Sequence, residues 1–142
     1  IHEVCRTRKL TLTLETPLPH LLGGELDDLD WLLERVPAEG TGVCVDTSHL
    51  ALGGTLLAAV KRFGPRLVHV QASDNHGVTD DHLPPGAGSI DWPALTRTLE
   101  EVGYDGVFML EIAGGEDVGA HVEWTAAATR KTFPSMAPAT RV

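Results

Sequence analysis

Four polar residues stand at or near the ends of four short apolar runs, in the order Glu15, Asp46, Gln71 and Glu111. Three are carboxylates, which can bind a divalent metal ion or transfer a proton, and the amide can offer an oxygen ligand. Carboxylates that lie close together repel one another unless a cation or a proton neutralises them. If these side chains converge, the sequence predicts a divalent metal site with oxygen ligands, which suits Mg²⁺ or Mn²⁺ better than Zn²⁺.

Two histidines lie close to these positions in the sequence. His49 follows Asp46 by three residues, and His82 lies in a long polar loop, residues 74–89, that is rich in Gly and Pro. Loops of this length are usually functional. We therefore expect His49 and His82 to contact substrate. His69 precedes Gln71 by two residues and shares its strand face, where we expect a supporting role.

The elements that must position these residues follow from hydrophobic periodicity. Short β-rich runs alternate with longer amphipathic stretches, which predicts four βα units around a parallel sheet. Because the carboxyl ends of parallel strands lie at one edge, where ligands bind, the four polar residues are expected at a common point. The predicted strands are residues 10–14, 42–45, 67–72 and 107–112, and the predicted helices are residues 27–36, 54–63, 91–102 and 116–133. Asp91 is the expected amino-terminal cap of the third predicted helix, and residues 134–142 are predicted to be a frayed tail.

Composition excludes several classes of protein. The 142 residues are 42% hydrophobic and 22% charged, which is typical of one soluble globular domain, and no apolar run is long enough to span a bilayer. The net charge of −9 argues against nucleic-acid or anionic membrane partners. Cys5 and Cys44 are too few for a disulfide framework, and the opening segment does not resemble a signal peptide, so we expect a cytoplasmic location.

Several segments together resemble the xylose isomerase-like superfamily of sugar phosphate isomerases and epimerases. They are LTLETP (12–17), GVCVDTSH (42–49), VHVQASDN (68–75), DDHLPPGAGSIDW (80–92) and the GYDG turn (103–106) that leads to Glu111. The resemblance implies an α/β protein with a (β/α)₈ TIM barrel fold, of which this chain supplies strands five to eight. It also implies a divalent metal held by Glu15, Asp46, Gln71 and Glu111.

Two departures within that superfamily bear on the metal. Many relatives have His where this chain has Gln71, although a hydroxypyruvate isomerase-like group is similar in using an amide. In the apurinic endonuclease branch, residues that match His49, Asp80 and His82 bind additional zinc ions. Mn²⁺ or Mg²⁺ is therefore the expected cofactor, with Zn²⁺ or Co²⁺ and a second metal ion as the alternatives.

The predicted strands account for only half of such a barrel. A complete barrel needs roughly 250 residues and eight strands, and four strands leave two unpaired edges and an open face. We therefore expect residues 1–142 to be the carboxyl-terminal half of a barrel domain, completed by a missing amino-terminal half or by a second copy, and we expect a homo-oligomer. The absence of an initiator Met and the helix-like opening favour the missing half.

The leading functional hypothesis is an isomerase or epimerase that moves a proton between carbons of a small sugar, sugar phosphate or hydroxy-keto acid through an enediolate. Glu15 and Glu111 are the predicted acid/base pair, whereas Asp46 and Gln71 mainly hold the ion. A dehydratase of a cyclic polyol would need the same site. An apurinic endonuclease-like phosphodiesterase and a non-catalytic half-barrel are the remaining alternatives.

Overall fold

The four apolar runs form one parallel sheet in the computed structural model, which describes residues 1–133. The sheet order follows the chain order, β1-β2-β3-β4, as expected for consecutive βα units. The prediction of four strands is confirmed, with ends that differ by no more than two residues. The strands are β1 (Leu12–Glu15), β2 (Thr41–Asp46), β3 (Leu67–Ala72) and β4 (Val107–Leu110).

Residues 1–133 also form six helices and one short 3₁₀ turn, with the first helix before the first strand and the last helix after the last strand. The helices are α1 (His2–Thr7), α2 (Leu26–Leu33), α3 (Thr47–Leu52), α4 (Leu56–Phe63), α5 (Trp92–Glu101) and α6 (Val118–Thr132), and the 3₁₀ turn is Gly64–Arg66.

Helix ends differ from the prediction for local reasons. Helix α2 stops before residue 36, which precedes Pro37 and is therefore disfavoured in a helical conformation. Helix α3 is absent from the prediction, and it begins where the Asp46 side chain accepts a hydrogen bond from the His49 amide. The predicted cap of α5 is confirmed, because Asp91 accepts from the amide of Ala94.

One face of the sheet packs against the helices and forms the core. Val43 and Val45 of β2 and Val70 of β3 are fully buried there. They pack against apolar side chains of α4 and α5, of which Ala59, Val60, Phe63 and Leu95 are also buried. This arrangement is the two-layer helix-on-sheet packing of α/β proteins.

The other face of the sheet carries the candidate site and is largely uncovered. Strand register pairs Glu15 with Cys44, Asp46 with Gln71, and Gln71 with Met109, so these side chains share that face. On β4, Val107 and Met109 remain 57% and 42% exposed there. In a closed barrel this face would be the interior, so the described residues have the form of half a barrel.

Two further observations concern the limits of the chain. Residues 134–142, predicted as a frayed tail, lie outside the described residues. Among residues 1–133, the helices are too short or too polar to cross a bilayer.

Candidate metal and active site

The four predicted polar residues all lie at the carboxyl edge of the sheet, although Glu111 is in neither group of candidate metal-ligating atoms that lie within 4.8 Å of one another. Glu15 and Asp46 are the last residues of β1 and β2, and Gln71 is the penultimate residue of β3. Glu111 directly follows β4, and its amide donates to the carbonyl of Ala72 at 3.2 Å, which continues the sheet pairing. Asp46 and Gln71 are thus flanked by the two glutamates.

Asp46 is the most buried of these groups, at 1% exposure. Its Oδ1 accepts from the His49 amide at 2.9 Å, whereas its Oδ2 is buried with no hydrogen-bond partner among the described residues. Burial, with added repulsion from Asp80 and Glu111, raises the pKa of Asp46 to about 6, even though the hydrogen bond and charge of His49 act in the opposite direction. A buried carboxylate oxygen without a partner is what a bound cation would satisfy.

Glu15 and His49 complete a first group around Asp46, which we call the carboxylate cluster (Glu15, Asp46, His49). One ligand atom from each lies within 4.8 Å of the others. The Glu15 carboxylate is half exposed on the open face, 3.8 Å from Nδ1 of His49. The same Nδ1 lies 2.9 Å from the carbonyl of Thr16, which fixes the ring.

A second group forms around Asp80, which we call the Asp80 cluster (His49, Asp80, His82). Asp80 Oδ2 lies 3.2 Å from Nε2 of His49 and 3.0 Å from Nε2 of His82. Its Oδ1 accepts a 2.6 Å hydrogen bond from Ser48. Because His49 belongs to both clusters, they form one continuous site.

Both histidines have oxygen atoms next to both ring nitrogens. Nδ1 of His82 lies 3.1 Å from the carbonyl of Glu111, while its Nε2 faces Asp80. A neutral imidazole carries only one N–H, so one nitrogen lone pair would face an oxygen unless the ring is protonated or a cation intervenes. Burial opposes the charged ring, but the Glu111 carbonyl and the carboxylates of Asp80, Asp46 and Glu111 hold the pKa of His82 above its usual value.

Glu111 and Gln71 differ in the hydrogen bonds of their side chains. Glu111 Oε2 is buried and, like Asp46 Oδ2, has no hydrogen-bond partner among the described residues. The Oε1 atom of Gln71 accepts from the thiol of Cys44 at 3.2 Å. Burial, with added repulsion from nearby carboxylates, raises the pKa of Cys44 to about 12, so the thiol keeps the proton that it donates. Gln71 shares the inner face with Asp46, but its described side-chain contact is to Cys44.

The long loop between β3 and α5 is held by a residue that the sequence analysis did not single out. Asp74 is fully buried. Its carboxylate accepts from the amides of residues 75, 86 and 90 and from the indole of Trp92 at 2.7–3.1 Å. Asp74 also forms a two-bond bridge with Leu83. The neighbouring His82 is thereby held in a left-handed conformation, with φ 48°.

Other supporting residues were also missed. Ser48 is fully buried, and its hydroxyl accepts a hydrogen bond from the side-chain amide of Asn75 and donates one to Asp80. Thr16 accepts from the Asp46 amide through its hydroxyl and faces His49 through its carbonyl. Each of these residues lies within three residues of a strand end, and this position is the sequence signal that could have identified them.

The loops at this edge carry many acidic side chains but no Lys or Arg. Residues 15–25, 46–55, 71–91 and 111–117 contain ten Asp or Glu residues and no Lys or Arg. Among the described residues, Lys131 of α6 borders residues 86–88 of the long loop. The site is therefore strongly acidic, and its oxygen and imidazole donors fit a divalent cation.

The chain matches known proteins over most of its length. The family model described as "Xylose isomerase-like TIM barrel" matches residues 1–129. An uncharacterised protein of Sinorhizobium fredii is 32% identical over 101 residues, which is 70% of this chain and 32% of that protein. The D-psicose 3-epimerase of Enterocloster bolteae is 23% identical over 94 residues, which is 64% of this chain and 30% of the enzyme.

A solved structure extends this likeness to the fold. The crystal structure of a D-tagatose 3-epimerase-like protein superposes with a TM-score of 0.73 at 25% identity, covering 96% of this chain and 53% of that one. The chain thus spans about half the length of this structural relative. The matched part of the curated relatives is about a third of their length.

Proposed function

The chain belongs to the xylose isomerase-like TIM barrel family, and from this we propose that it supplies the catalytic half of a metal-dependent sugar epimerase or isomerase. The relatives named as sugar 3-epimerases support the reaction class. The observation that carries the proposal is the pair of buried carboxylate oxygens without partners, on Asp46 and Glu111, at the carboxyl edge of the sheet. Catalytic groups of TIM barrels lie at that edge.

The proposed metal ligands are Glu15, Asp46, Gln71 and Glu111. When bound there, Mn²⁺ or Mg²⁺ would act as a Lewis acid toward a sugar carbonyl and its neighbouring hydroxyl. Asp46 is rigidly held by its burial and by the His49 amide, so its role is to bind. Gln71 would keep one lone pair of its amide oxygen for ligation while the other accepts from Cys44.

Glu15 and Glu111 are the proposed acid and base. They stand on β1 and beyond β4, on either side of Asp46 and Gln71, so they can approach a bound sugar from opposite sides. A carboxylate on one side would remove the proton from the carbon next to the carbonyl, giving an enediolate. Return of a proton from the other side inverts that carbon, and return to the neighbouring carbon moves the carbonyl.

His49 and His82 are the proposed contacts for substrate hydroxyls. Asp80 lies between their Nε2 atoms and, with the carbonyls of Thr16 and Glu111, fixes both rings. Rings held in this way orient a substrate at little entropic cost.

The other half of the barrel is proposed to come from further chain or from a second copy. The exposed inner face of β4 is the surface that it would cover. We place the protein in the cytoplasm, where the thiols of Cys5 and Cys44, both free in the structure, would remain reduced.

The test follows proton exchange in the assembled barrel. A ketohexose is incubated in D₂O with the metal-free protein and with the Mn²⁺-loaded protein. Deuterium at the carbon next to the carbonyl, together with appearance of the epimer or the aldose, is expected only with metal. Absence of exchange in a fully metal-loaded, folded barrel would contradict the proposal.

A second candidate function is supported by the Asp80 cluster. Its two histidines and one carboxylate also suit zinc, and an apurinic endonuclease-like phosphodiesterase would use more than one metal ion. Metal analysis separates the two, since one tightly held ion per barrel favours the epimerase and two or three zinc ions favour the phosphodiesterase. The acidic loops of this half weigh against a nucleic-acid substrate.

A further inference from the structure

The thiol of Cys44 lies behind the proposed metal site, on the inner face of the sheet. Cys44 precedes Asp46 by two residues on β2, so both side chains point to the same face. The register places Cys44 between Glu15 of β1 and His69 of β3. Only 4% of Cys44 is exposed. The thiol therefore supports the site from within the sheet and is closed off from the opening where a substrate would enter.

This thiol makes a hydrogen bond to Gln71. Its Sγ atom donates to Oε1 of Gln71 at 3.2 Å, although the two residues are 27 positions apart in the sequence. The hydrogen bond is diagonal across the strands, because the register partner of Gln71 on β2 is Asp46. Cys44 thus fixes the amide oxygen of a residue that lies directly beside the most buried carboxylate of the site.

The Gln71 side chain has no other hydrogen bond among the described residues. Its register partner on β4 is Met109, which is 42% exposed and offers only a weak acceptor. A Gln side chain that is not held loses the freedom of several rotatable bonds when it binds an ion, and this loss weakens binding. Cys44 is therefore the group that can order Gln71 before an ion binds.

We infer that Cys44 is a positioning residue for the metal site, whose S–H group fixes the amide oxygen of Gln71 and leaves the second lone pair of that oxygen for the ion. The inference rests on the proposed function, in which Gln71 is a ligand. Partners that orient metal ligands are a general feature of protein metal sites, and their loss typically lowers metal affinity about 10–100-fold. Because a thiol is a weak donor, it orients the oxygen while withdrawing little electron density from it.

Mn²⁺ affinity tests this role without following turnover. Free Mn²⁺ is measured by electron paramagnetic resonance while the metal-free, assembled barrel is titrated. Cys44→Ala should raise the Kd for Mn²⁺ about tenfold. Cys44→Ser keeps a donor and should remain within about threefold of the wild type. Cys5→Ala is the matched control, since Cys5 is the other free thiol and lies in α1, and it should leave the Kd unchanged.

A double-mutant cycle separates positioning from packing. Gln71→Ala should itself weaken binding, and adding Cys44→Ala should then cause no further loss, because the thiol no longer has an amide to hold. Melting curves establish that each variant is folded. The inference is overturned by an unchanged Kd in Cys44→Ala, by a serine variant as weak as the alanine variant, or by a tenfold further loss in the Gln71→Ala background.

Infrared spectroscopy tests the hydrogen bond in the metal-free protein. The S–H stretching band of Cys44 is obtained as the difference between the spectra of the wild type and Cys44→Ser. Gln71→Leu removes the acceptor and should move this band to higher frequency, because a hydrogen bond weakens the S–H bond of its donor. An unchanged frequency overturns the inference, whatever the metal affinities are.

Failure of the inference is distinguishable from failure of the proposed function. A wild-type barrel that binds no Mn²⁺ contradicts the proposed function and, with it, this role of Cys44. A wild-type barrel that binds Mn²⁺ and exchanges deuterium, but whose Kd does not depend on Cys44, overturns the inference alone.

Discussion

At the scale of single residues, the site is characterised by carboxylate oxygens that have no hydrogen-bond partner among the described residues. Asp46 and Glu111 each bury one oxygen without a hydrogen-bond partner, although buried polar atoms in folded proteins normally have one. The rest of each residue is well held, Asp46 through the His49 amide and Glu111 through its backbone. A carboxylate that is held in place but has one oxygen without a partner is what we expect of a metal ligand before the cation binds.

The proposed role of Glu111 in proton transfer gives the first prediction. Glu111→Gln keeps the size and one oxygen ligand but removes the basicity, so turnover should fall by about two to four orders of magnitude. Solvent deuterium incorporation, measured with the metal occupancy of both proteins checked, provides the readout. Glu116→Gln, an exposed neighbour in the following loop, is the control and should exchange normally. Equal exchange in both variants at matched occupancy would leave Glu111 a ligand only.

Asp46 gives a prediction about pH and metal. The pKa of this carboxyl is 3.8 in its ordinary state, and burial raises it to about 6 in the metal-free protein. The folded protein therefore binds this proton more tightly than the unfolded chain does, so the contribution to stability is present below about pH 4 and is lost as the pH rises through 6. That shift corresponds to roughly 3 kcal/mol.

Urea denaturation measures this effect. With a chelator present, the urea concentration at the unfolding midpoint of the wild-type protein should be lower at pH 7.5 than at pH 5. Mn²⁺ should raise this midpoint again at pH 7.5, because the cation replaces the lost proton. In the Asp46→Asn variant, most of the decrease of the urea midpoint with pH should be absent, and Mn²⁺ should raise the midpoint much less. A variant that retains both would show that other groups are responsible.

At the scale of elements, the long loop between β3 and α5 is a rigid part of the site. Asp74 collects four donors from this loop and from Trp92, and a Cβ on Gly88 would collide with Asp74 and the carbonyl of Asn75. These close contacts hold the loop that carries Asp80 and His82. The loop is therefore long because it positions site residues, and its length does not make it mobile.

Asp74→Asn tests this interpretation of the loop. The amide group would present donors where the wild type accepts two hydrogen bonds on each oxygen, and each buried donor left without a partner costs about 1–3 kcal/mol. We expect lower stability, faster hydrogen exchange over residues 75–91, and reduced turnover. Asp81→Asn, in the same loop but only partly buried, affects one carboxylate that accepts from the His76 amide and the Thr79 hydroxyl, and should change each of these much less. Similar effects of the two substitutions would contradict the proposed role of Asp74.

At the scale of the whole molecule, the sheet has unpaired edges and an uncovered inner face. Strands β1 and β4 each pair on one side only among the described residues, and Val107 and Met109 of β4 are exposed on the inner face of the sheet. Open edges and apolar faces of this kind promote association. The proposed barrel would bury both.

Residues 1–142 prepared alone should therefore self-associate. Sedimentation velocity at low and high concentration should show species larger than a monomer, and Met109→Lys, which places a charge on the inner face, should reduce association. Val118→Lys, a change of exposed apolar surface on α6, is the control for general solubility. A wild-type chain that stays monomeric at both concentrations would contradict this expectation.

The repeated βα pattern, and the positions of the candidate metal ligands along it, can be predicted from the amino-acid sequence alone. Period-two and helical spacing of apolar residues predict the four strands, and the parallel arrangement then places Glu15, Asp46, Gln71 and Glu111 at one edge. Asp91 was predictable as a helix cap because capping depends on local sequence. These features follow from interactions between near neighbours in the chain.

Which of these side chains have hydrogen-bond partners, and which partners they have, depends on the folded structure. That Asp80 joins His49 to His82, that Cys44 donates to Gln71, and that Asp74 holds its loop all depend on contacts between residues that are distant in sequence or folded back by the loop. Burial, which raises the pKa of Asp46, is likewise set by packing. Sequence spacing carries no information on these contacts, because they arise when strands and loops meet in three dimensions.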